Sequence, residues 1–123
     1  IEAKRREIGW EAYMRGGREP SGRNVMAWAQ EAVSLGAGEI LLTSIDQDGL
    51  KMGCDLDLIR AVAAVTPHTP IIASGGIGEA RHAREALDAG ADAVAIASLL
   101  HTQPGLLQLK AELSHAGVPI RWA

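Results

Sequence analysis

Three short apolar runs punctuate the chain: Glu39-Ile40-Leu41-Leu42-Thr43-Ser44-Ile45, Pro70-Ile71-Ile72-Ala73-Ser74 and Asp92-Ala93-Val94-Ala95-Ile96-Ala97. Glycines or a proline border each of them. Their apolarity is continuous rather than alternating, which predicts strands of a parallel sheet covered on both faces. Before, between and after them the apolar spacing becomes helical. Asn24–Leu35 carries Val25, Trp28, Ala29, Ala32 and Val33, with Asn24 placed to cap it and Gly36 to end it. Asp55–Val65 carries Leu58, Ile59, Val62 and Val65 and stops before Pro67. Glu79–Ala89 stops at Gly90, and Pro104–Ala116 starts on proline and stops at Gly117. At the start, Ile1–Ala3 reads as the end of a strand, and Gly9–Arg15 as a hairpin arm turning at Gly16-Gly17.

The chain also repeats itself at an offset of 54 residues. Glu31-Ala32 and Gly36-Ala37 align with Glu85-Ala86 and Gly90-Ala91, Ile40 with Val94, Ser44 with Ser98, and Gly22 with Gly76. That interval is the length of two βα units. Residues 1–123 thus read as one α/β domain of two matched βαβα pairs: a (βα)4 half of a TIM-type (βα)8 barrel, with parallel strands and helices outside. The rival layout is a small flavodoxin-like open sheet with helices on both faces. A half barrel leaves two open sheet edges and an apolar inner face, so a homodimer or a complementary N-terminal half barrel is expected.

Composition narrows the function. Four aromatic residues in 123 and a formal charge of −3 argue against nucleic-acid binding. No apolar run is long enough to span a membrane, and no signal peptide is visible. A single cysteine, Cys54, fits a reducing cytoplasm. The chain opens on Ile1 rather than Met, as a cut or processed N-terminus would.

Two loops carry candidate chemistry. Ser74-Gly75-Gly76-Ile77-Gly78 ends a strand and opens a helix, where free N–H groups and the helix dipole favour an anion. Ala97-Ser98 ends the next strand, and Ser98–His101 reads as a short helix. Together they form a phosphate cup at the position where βα barrels hold one. Thr43-Ser44-Ile45-Asp46-Gln47-Asp48-Gly49 brings two hydroxyls and two carboxylates to another strand end, one of the aspartates reading equally well as a turn former. Glu2 reads by position alone as a solvated charge, and Lys4-Arg5-Arg6 as a solvated run. The histidines show no metal-ligand spacing, and Cys54 reads as loop packing.

The stretch Gly36–Gly49, the run Ile71–Gly76 and Gly90-Ala91-Asp92-Ala93 resemble the cyclase subunit of imidazole glycerol phosphate synthase, and Ile1-Glu2-Ala3-Lys4-Arg5 resembles that family's fifth strand. The resemblance covers the C-terminal half of the family's barrel. It implies a lyase of histidine biosynthesis. Such an enzyme closes an imidazole ring on a bis-phosphorylated ribulosyl substrate, with ammonia from a partner glutaminase and no cofactor. It implies a catalytic carboxylate at Glu2, where the family has Asp, and a second aspartate in the other half. It implies phosphate binding at Asp48, Gly49, Gly75, Gly76, Ala97 and Ser98, with Thr43 and Ser74 near the substrate. Glu39, at the opposite strand end, matches a charged residue of the ammonia gate. Two other functions stay open: a self-associating phosphate-binding module without turnover, and an open-sheet protein using the same loop for another phosphorylated ligand.

Overall fold

A computed structural model describes residues 1–102 and 105–122. Six strands form one sheet in the order β3-β2-β1-β4-β5-β6. The strands are β1 (Glu2–Arg5), β2 (Trp10–Met14), β3 (Glu19–Asn24), β4 (Ile40–Ser44), β5 (Ile71–Ser74) and β6 (Ala93–Ala95). β1, β4, β5 and β6 run parallel, while β2 and β3 form an antiparallel hairpin on the other side of β1. Helices α1 (Val25–Ser34), α2 (Leu56–Val65) and α3 (Ala80–Asp88) alternate with the parallel strands. The short α4 (Ser98–Thr102) and then α5 (Leu106–His115) follow β6. The expected start of the last helix at Pro104 lies outside the described residues.

The helix ends obey local chemistry. Asn24 Oδ1 accepts the N–H groups of Met26 and Ala27, capping α1. At its other end the Gly36 N–H bonds to Val33 O and the Ala37 N–H to Ala32 O, with Gly36 at φ 99°. This is a Schellman closure, and it needs a left-handed residue where Gly36 stands. Gly90 closes α3 by the same pair of bonds, to Leu87 and Ala86.

The sheet is one-sided, which corrects the expectation of cover on both faces. Ala3, Ile40, Leu42, Ile71 and Ala73 are buried against Val25, Ala29, Leu58, Ile59, Val62 and Ala86 of the helices. Their neighbours along the strands point the other way, and Leu41 is 49% exposed. The helices therefore pack outside a curved sheet, as in half of a βα barrel, and the flavodoxin-like layout does not hold. β1 is an interior strand, because the turn closed by the Arg6 N–H on Gly9 O folds β2 back along it, and the turn through Gly16 and Gly17 adds β3 outside β2. The edges among the described residues are β3, which carries Pro20 beside a bulge, and the three-residue β6.

Candidate active site

Strand register builds the site. Glu2 pairs with Thr43, Thr43 with Ser74, and Ser74 with Ala95. Partners in a ladder share a face, so these residues form one cross-strand row on the face without helices. The row lies at the C-terminal ends of β4, β5 and β6. Glu2, on β1, comes level with those ends through its pairing with Thr43. β1 then runs on beyond the row and carries the hairpin, which sets Tyr13 on the far side of Glu2. At the hairpin tip the Gly17 N–H donates to Glu2 Oε2 at 2.7 Å. The half-buried carboxylate is thereby fixed rather than freely solvated.

Beside the row lies a small cup lined by Asp48, Ser74, Gly75, Gly76 and Ala97. Ser98, the first residue of α4, follows Ala97 directly. Gly75 and Gly76 hold φ of 95° and 88°, which side chains rarely tolerate. They also lie hard against the loop after β4. A Cβ on Gly75 would stand 2.8 Å from Ser44 O, and one on Gly76 would run into the Gly53 carbonyl. The glycines are thus required by loop-on-loop packing as well as by any close approach of an anion.

The remaining candidates separate. The Asp48 N–H is committed to Ser44 O at 3.0 Å, and Asp48 is an exposed residue of the cup lining. Gly49 follows at φ 78° and stands outside the cup lining. Asp46 is the structural aspartate: its Oδ2 accepts the Arg5 N–H at 2.7 Å and ties the loop to β1. Glu39 is exposed and precedes β4, at the end of the sheet away from the row. Burial pushes the Cys54 thiol up to about 11, with Asp55 and Glu85 adding to the effect, so it is no thiolate nucleophile at neutral pH.

Sequence reasoning missed several supports. Arg5 belongs to no solvated run: its guanidinium bonds to buried Asp55 at 2.8 Å and lies over the Trp10 ring at 4.8 Å. Asp55, accepting from Arg5, and Glu11, accepting from Arg6, hold the two guanidinium groups even above their usual range. His82 lies buried beneath the glycine loop. A hairpin turning at Gly16-Gly17 was the signal for the Gly17 contact, but nothing local paired it with Glu2.

Among the described residues, no helix is long and apolar enough to cross a membrane, and no group of three metal-ligating side chains gathers. A family model described as histidine biosynthesis protein matches residues 1–104. The chain is 50% identical over 130 residues to the imidazole glycerol phosphate synthase subunit HisF of Synechococcus sp. (strain CC9605), an alignment covering 98% of this chain and 50% of that protein. It is 49% identical over 122 residues to the subunit of the same name from Pyrobaculum aerophilum, covering 98% and 48%. The chain thus spans about half the length of the curated relatives it matches. With its one-sided parallel sheet and the row at the strand ends, it belongs to the histidine biosynthesis protein family.

Proposed function

We propose that this chain is the C-terminal half of an imidazole glycerol phosphate synthase cyclase, a lyase that closes the imidazole ring on a bis-phosphorylated ribulosyl substrate with ammonia. The observation that carries the reading is the row Glu2–Thr43–Ser74 beside the Gly75-Gly76 and Ala97-Ser98 cup. The cup takes one phosphate of the substrate on the N–H groups of Gly76 and Ser98. Thr43 and Ser74 are the hydroxyls level with the carboxylate and face the same substrate. Glu2 serves as one acid–base group, and the second comes from the other half of the barrel. Glu is one methylene longer than the Asp of the family pattern, and misplacement by about 1 Å costs up to ~100-fold where positioning governs rate.

The residues form one half-barrel domain of two matched βαβα pairs, a reading supported by the like closures at Gly36 and Gly90, each followed by a parallel strand. Glu39, at the opposite end, belongs to the ammonia entrance, where a glutaminase docks. The setting is the cytoplasm, in keeping with the biosynthetic family and one free cysteine. The uncovered face around Leu41 and the β6 edge support a second reading: alone, the chain pairs with a copy of itself and binds phosphate without turnover.

The test joins this chain to the N-terminal half of a relative and follows ammonium-dependent turnover. The joined protein should form product. The chain alone should bind phosphate, scatter light as a dimer of about 26 kDa, twice its 13.0 kDa, and turn over little or nothing. A joined protein that folds but makes no product contradicts the cyclase reading. A monomer of 13.0 kDa without affinity for hydrophobic dye contradicts self-association.

A further inference from the structure

The cup is built from loops, and loops hold a geometry only where something fixes them. We propose that His82 is the positioning residue of the phosphate cup. This rests on the reading of that cup as a phosphate site.

His82 stands in the first turn of α3 and is 6% exposed. Its Nδ1 accepts the Gly78 N–H at 3.2 Å. Its Nε2 lies 3.2 Å from Arg81 Nη2 and 3.6 Å from Glu79 Oε1. Glu79, at the N-cap position, makes no side-chain cap bond. The flat side of the ring serves the second loop. Gly53 lies beside it, where an added Cβ would stand in ordinary contact, 3.5 Å from Cδ2. The Gly53 N–H in turn donates to the Gly76 carbonyl at 2.8 Å.

One buried ring thus bonds to Gly78 and neighbours Gly53, which in turn is bonded to Gly76 of the cup lining. The acceptor at Nδ1 is the chemical requirement. Asn places Oδ1 close to where Nδ1 sits, whereas Gln places its amide nearer Nε2, and Leu offers bulk alone.

The 123-residue chain and its His82→Asn, His82→Gln and His82→Leu variants separate these roles. The readouts are amide hydrogen exchange at Gly53 and Gly78 and affinity for inorganic phosphate at fixed pH. Asn should keep exchange and affinity near those of the parent. Gln and Leu should speed exchange at both glycines and weaken phosphate by about tenfold or more, as loss of a buried hydrogen bond does. Parent-like exchange in the Gln or Leu variant overturns the proposal. So does fast exchange in all three, because the acceptor would then not be the cause. A parent that binds no phosphate overturns the reading of the cup, while exchange at Gly53 and Gly78 still decides the role of His82.

Discussion

Arg5 Nη2 lies 2.8 Å from Asp55 Oδ1, and the same carboxylate takes the Trp10 indole N–H on its other oxygen at 2.9 Å. Asp55 also caps α2 by accepting the Leu58 N–H. One buried carboxylate therefore joins β1, β2 and α2, and holds the strand that carries Glu2. Asp55→Ala removes the cap, about 1 kcal/mol. It also strands the Arg5 and Trp10 donors, together about 2 kcal/mol after allowing for the half-exposed guanidinium. Urea unfolding should show a loss of about 3 kcal/mol, and Asp55→Asn, which keeps the cap, roughly half of it. An Ala variant as stable as the parent would show that the network carries no weight.

Gly16 and Gly76 share a left-handed backbone but differ in surroundings. Nothing lies within 4 Å of a Cβ built on Gly16, whereas one on Gly76 meets the Gly53 carbonyl. Gly16→Ala should cost about 1 kcal/mol, from φ alone. Gly76→Ala should cost well over twice that and weaken phosphate binding. Equal costs for the two would mean that the loops do not touch as described.

Ser44 is buried on the helix-facing side of β4, and its Oγ has no hydrogen-bond partner among the described residues. Ser44→Ala removes an unpaired polar atom and should stabilise the fold by about 1 kcal/mol. A destabilised variant would reveal an unrecognised partner for the hydroxyl.

Cys54 titrates far above neutrality because burial penalises its thiolate. Alkylation at pH 7.5 should run roughly 100-fold slower than for the unfolded chain, and rise about tenfold per pH unit towards 11. The folded state holds the proton more tightly than the unfolded state. This contribution to stability is full below the unfolded thiol value of 9.0 and is lost as pH rises to about 11. Rapid alkylation at pH 7.5 would contradict the burial.

The parallel strands and outer helices were legible because glycine, proline and capping asparagine mark their ends: Asn24, Gly36, Gly75-Gly76 and Gly90 all stand where the pattern put them. Cover on both faces was misread, because Leu41 and Ile72 are as apolar as the buried Leu42 and Ile71, and composition does not say which face the helices take. The cup was legible as two loops after neighbouring strands. What stayed hidden is what only register and long-range packing decide: that Glu2 pairs with Thr43, that Gly17 reaches back to Glu2, and that a histidine in α3 lies beside Gly53. Arg5 was misread for the same reason, since its partner stands 50 residues away.

The most direct measurement is ammonium-dependent turnover by this chain joined to a complementary N-terminal half, compared across Glu2, Glu2→Asp and Glu2→Gln. Shortening the side chain to Asp should raise kcat by about 10- to 100-fold through better placement of the carboxylate. Gln should reduce it by at least ~100-fold, because it can no longer transfer a proton. Turnover that survives Glu2→Gln unchanged would contradict the proposed acid–base role of Glu2.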